Sequence, residues 1–149
     1  MNVYHTFEKK NGFDLKRIDF NRGIFTIKAW WVDHPQYGNK YSKWHPNEFG
    51  DTVVELDIDE HAKTYKSSEQ LSVLEDLFGK DNPKVQKIVQ KFELGEFDRP
   101  DWQMIDTLIG KTLREKGYKI IHYTDDAMFG ETWAIIDPSV IKSIRFENG

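Results

Sequence analysis

The 149-residue chain contains no cysteine, which excludes a disulfide framework, a thiolate metal site and a cysteine nucleophile. It has no apolar run approaching the roughly 20 residues needed to span a bilayer. Its first residues, Met1-Asn2-Val3-Tyr4-His5, lack the basic and apolar blocks of a secretory signal. A cytoplasmic protein is the expectation. No one sign of charge dominates, and the net charge of −4 argues against broad electrostatic binding to nucleic acid. Also missing are a P-loop, a G-x-G-x-x-G turn, a nucleophile elbow and any paired-histidine metal motif. The five histidines (5, 34, 45, 61 and 122) are scattered, so no metal site is expected.

Aromatic residues are plentiful. They form 14 % of the chain, with five Trp and ten Phe, enough for a compact core despite 31 % charged residues. Splitting this length in two would leave pieces too small to bury a good core, so a single domain over 1–149 is expected. Basic residues gather early, at Lys9, Lys10, Lys16, Arg17, Arg22 and Lys28. By itself such a cluster is an ordinary solvated face, though it could also cradle the phosphates of a small ligand.

The pattern runs strands, helices, strands. Val3–Phe7 and the β-branched, aromatic Gly23–Val32 read as strands, followed by a long aromatic-rich loop over 33–50. Thr52–Asp59 alternates, with Val54, Leu56 and Ile58 on a buried face and Glu55, Asp57 and Asp59 on a wet one. Asp57-x-Asp59-Glu60 lacks the length and glycine of a calcium loop.

Three amphipathic helices come next. Ser67 and Gln70 suggest a capping box before the stripe Leu71, Leu74, Leu77 and Phe78, which Gly79 stops. Asn82-Pro83 opens a second helix with the stripe Val85, Ile88, Val89 and Phe92, closed by Gly95. Pro100 opens a third, with Trp102, Ile105, Leu108, Ile109 and Leu113 inward and Gly117 at its end. Strands return at 118–123, 132–137 and 140–146, the last two joined tightly through Pro138-Ser139. The expected class is α+β, a split mixed and antiparallel sheet core with a helical insert of about three helices.

Two clusters could carry chemistry. One is Val3-Tyr4-His5-Thr6-Phe7. The other is the acidic segment from Tyr123 to Trp133, with Asp125, Asp126 and Glu131, expected as a loop between strands. Met128 and Phe129 in it are apolar groups that a purely solvated turn does not need. Carboxylates so placed suit cleavage of a glycosidic bond, because the departing base leaves oxocarbenium character on the ribose.

The segments Val3-Tyr4-His5-Thr6-Phe7, Gly23-Ile24-Phe25-Thr26, and Gly117-Tyr118 through Tyr123-Thr124-Asp125-Asp126 to the Pro138-Ser139-Val140-Ile141-Lys142-Ser143 close resemble the ADP-ribosyltransferase fold family. The likeness is nearest to the small phage-encoded, anti-CRISPR type members. It implies NAD as co-substrate without a metal, and a host protein as acceptor in preference to nucleic acid, with no membrane partner. Asp125 then takes the place of the catalytic carboxylate, with Asp126 and Glu131 as further candidates. By the same resemblance His5 and Thr6 would hold the nicotinamide amide and ribose, Tyr37 and Tyr41 would stack, and Arg22 would meet the pyrophosphate. Two departures stand out. Phe7 occupies a place where many relatives carry a small residue, and the Glu-x-Glu pair of arginine-modifying members is missing. The same fold without catalysis would act by occluding a partner. A small nuclease using His5 or His122 with a nearby carboxylate is a third possibility, which the acidic balance disfavours.

Overall fold

The computed structural model describes residues 1–7, 24–25, 52–126 and 130–148. Strands β1 (Asn2–Phe7), β2 (Ile24–Phe25), β3 (Thr52–Ile58) and β4 (Thr64–Ser67) precede helices α1 (Gln70–Phe78), α2 (Pro83–Glu93) and α3 (Arg99–Glu115). Strands β5 (Ile120–Asp126), β6 (Gly130–Ile135) and β7 (Ile141–Asn148) follow. The architecture is mixed α+β. One sheet has the order β1-β3-β7, antiparallel throughout, and the other the order β2-β6-β5-β4. Arg22, Tyr37, Tyr41, the 33–50 loop and most of the expected strand over 23–32 lie outside the described residues.

Alternation along the strands explains how the layers stack. In β5, Ile120 points into a core shared with the first sheet, whereas Ile121 and Tyr123 point at the helices. In β6, Trp133 and Ile135 join the first core, and Ala134 joins the second with Ile136 just beyond it. Val3, Val54, Leu56 and Ile58 complete the inter-sheet core, and Leu74, Ile105, Ile109 and Leu113 cover the other face. The middle of the second sheet, β5 with β6, is therefore buried on both sides, which is why Ile120-Ile121 and 133–136 read as apolar runs. Each fully buried aliphatic side chain contributes about 1.5–3 kcal/mol, so these two clusters dominate the stability.

Strand β4 was not expected from the sequence. It is short, alternates between exposed and half-buried positions, and runs parallel to β5 from Thr64 against Ile120 to Ser67 against Tyr123. A parallel pair requires a long crossover, and the three helices supply it. Because Ser67 ends this strand, it does not cap α1. Glu69 does, accepting from the amides of Leu71 and Ser72 at 2.8 Å each and from the Ser72 hydroxyl. Asn82 caps α2, and α3 begins with a reciprocal box in which Asp98 and Asp101 each accept from the other's amide. Gly79 and Gly117 end α1 and α3 with φ of 91° and 87°, a region closed to most side chains.

Three corrections bear on packing. Leu108, expected inward on α3, is 39 % exposed, and Gly110 lies buried on that helix instead. Phe92 is also half in solvent, edge-on to Phe97 and Trp102, which pin the end of α2 to the start of α3. Glu55, expected on a wet face, is buried and accepts from Arg145 across the β3–β7 pair. A buried carboxylate needs such a partner. Asp57 stays partly exposed, against the Met1 amine at 3.1 Å.

Candidate functional site

The three candidate residues lie near the end of the β5–β6 ladder at which Asp126 pairs with Gly130. Asp125 and Asp126 are in strand β5 itself rather than in a loop, and Glu131 is the second residue of β6. Tyr123 pairs with Thr132 and Asp126 with Gly130, so two residues of β5, Thr124 and Asp125, stand against Glu131 alone. This is a β-bulge, a device that bends a strand and re-aims a side chain. Its consequence is to set Asp125 and Glu131 at one level of the ladder.

The bulge is held from the side by the start of the helical layer. The Asp125 amide donates to the Ser68 carbonyl at 2.8 Å, just past the end of β4. The Asp125 side chain is exposed and makes no bond among the described residues. Glu131 is held differently. His122, one residue before Tyr123 and on the opposite face of β5, places its Nε2 3.0 Å from Glu131 Oε1. The imidazole also lies on the Trp133 indole, with centroids 4.7 Å apart and planes 10° from parallel. His122 and Trp133 are direct cross-strand partners, which fixes this stack from the register. Next door, the Thr132 hydroxyl is buried on the helical face without a partner among the described residues.

His5 and Thr6 belong to β1, an edge strand of the other sheet, opposite Val54 and Val53. Strand β1 also comes close to β2, the edge of the second sheet. The structure thus joins Asp125, Asp126 and Glu131 in one place and sets the His5-Thr6 backbone in the facing sheet. Sequence reasoning tied His122 only to a nuclease reading. The signal that could have found its contact is spacing: His122 and Glu131 both point away from the helices once Tyr123 and Thr132 point toward them.

A separate cavity of 230 Å³ lies on the helical layer, lined among others by Glu75, Lys80, Val85 and Val89, and contains none of the candidate residues. Among the described residues no group of three or more His, Asp or Glu is placed to hold a metal, and no helix is long and apolar enough to cross a membrane. No protein-family model, curated protein or solved structure matches the chain.

Proposed function

We propose that the chain is an NAD-dependent mono-ADP-ribosyltransferase that uses the acidic end of the β5–β6 ladder and modifies a host macromolecule, a protein in preference to a nucleic acid. The observation that carries this reading is the bulge at which Thr124 and Asp125 together face Glu131, with Asp126 next in the strand. In the reaction the bond between nicotinamide nitrogen and ribose breaks, nicotinamide leaves with the electron pair, and the ribose carbon acquires oxocarbenium character. A fixed carboxylate stabilises that charge, and a nucleophile of the acceptor then bonds to the carbon and gives up its proton. The facing edge strand with His5 and Thr6 supports the assignment of the nicotinamide and ribose contacts to those residues, and Arg22, Tyr37 and Tyr41 keep the roles implied by resemblance. On the same resemblance the protein is a phage counter-defence factor acting in the host cytoplasm.

Thermal melting with and without NAD tests the reading. A ligand at a hundredfold excess over its Kd stabilises the folded state by about 2.7 kcal/mol. The expected outcome is an upward shift for the wild type, then transfer of labelled ADP-ribose to a lysate protein that Asp125→Ala abolishes. No shift at millimolar NAD overturns the enzyme reading and leaves an occluding binder of the same fold.

A further inference from the structure

We infer that His122 is a positioning residue that holds the Glu131 carboxylate in one orientation at the ladder end, through a contact chain anchored in Trp133. The inference rests on the transferase reading for its chemistry, while its geometry stands apart from that reading.

Of the three carboxylates, Asp125 and Glu131 can be compared atom by atom. Asp125 is fixed by its backbone amide, and its exposed carboxylate has no bond among the described residues. The Glu131 side chain is about half exposed, yet one oxygen is tied to His122 Nε2. A long exposed glutamate without that tie samples many rotamers, and each must be lost before the carboxylate meets a forming charge. His122 removes that freedom only if it is itself fixed, and it is. Its side chain is 19 % exposed, and one ring face rests on Trp133. Trp133 in turn is 6 % exposed and packs in the inter-sheet core with Val54, Leu56 and Ile135. Turning the imidazole away from Glu131 therefore breaks a stack on a side chain that cannot follow it.

An ionised carboxylate only accepts, so a bond to it requires a proton on Nε2, while Nδ1 has no partner among the described residues. A carboxylate held by a hydrogen bond is preorganised for a cationic transition state, and that is how electrostatic catalysis lowers a barrier.

Imidazole nitrogen–proton correlation spectra of the full chain test the geometry, with the His122 signals assigned from a His122→Gln sample. The expected spectrum shows a proton held on Nε2 whose signal shifts on Glu131→Gln. A mixture of tautomers indifferent to Glu131→Gln overturns the inference, whatever the protein does with NAD. The second arm is NAD turnover at fixed pH. His122→Ala is expected to lower kcat about 10- to 100-fold, the usual loss for a residue that orients a reacting group, with KM little changed. His122→Gln should recover part of it, because its amide N–H can still donate to Glu131. Unchanged kcat in a folded His122→Ala protein refutes the role. If the wild type turns over no NAD, the transferase reading falls and the tautomer result alone decides whether His122 holds Glu131.

Discussion

Adjacent residues of α3 offer the sharpest test of the packing. Leu108 and Ile109 share one apolar stripe by helical spacing, yet Ile109 is fully buried and Leu108 is 39 % exposed. Truncating Ile109 to alanine removes about three carbon groups at ~0.8 kcal/mol each, and the cavity left under the sheet adds to that. The sum is about 3–4 kcal/mol. For a chain of this size, ~2–4 °C of Tm per kcal/mol converts it to a fall of about 10 °C. Leu108→Ala exposes little that was covered and gains slightly in helix propensity, so its cost is expected below about 1 kcal/mol. Both variants would be followed by thermal and urea unfolding, and an unchanged urea slope would show that the folded state stays compact. Equal losses at the two positions, or a larger one at Leu108, would refute the helix rotation on which the second core depends.

Other outcomes follow from single contacts. Glu69→Ala should cost about 1 kcal/mol, because Glu69 satisfies two first-turn amides of α1, whereas Ser67→Ala should cost less. Burial, and then the hydrogen bond to Asp76, push the Tyr65 hydroxyl up to about 12. The neutral phenol therefore contributes stability that is complete below pH 10 and is lost as the pH rises toward 12. An absorbance titration should show one late tyrosine, and Asp76→Asn should bring it earlier. Gly117→Ala should destabilise by about 1 kcal/mol or more, since φ is 87° there and a Cβ would meet no more than the Lys63 Nζ at 3.9 Å, and a melting curve would report it.

Much of this fold could be read from residue patterns because the patterns are physical. The α2 cap Asn82-Pro83, the glycine stops and the alternation Val54, Leu56, Ile58 each encode one local geometry, and each is where it was expected. Strand β4 was missed because Thr64-Tyr65-Lys66-Ser67 carries no apolar face of its own, and its pairing to β5 is set by the crossover. Glu55 was misplaced because alternation assigns a face without saying whether that face is wet; its partner Arg145 is remote in sequence. The site was half legible. Asp125, Asp126 and Glu131 are conspicuous as an acidic run, but a bulge is invisible in composition, and so the opposition of Asp125 to Glu131 and the tie to His122 could not be read there.

The order of strands in the first sheet governs how the protein must fold. Strand β3 pairs on one side with β1, Thr52 meeting Phe7, and on the other with β7, Ile58 meeting Ile141, a separation of 141 − 58 = 83 residues. By contrast Asp126 and Gly130 meet across four, and the helices are local by nature. Loop closure grows with the logarithm of length, so the β5–β6 ladder and its helices can form early while the β1-β3-β7 sheet assembles late, against the waiting face of Trp133 and Ile135. The contacts of His122 with Glu131 and Trp133 are thus made between residues close in the chain. The facing strand that carries His5 and Thr6 is thus expected to join after the ladder it faces.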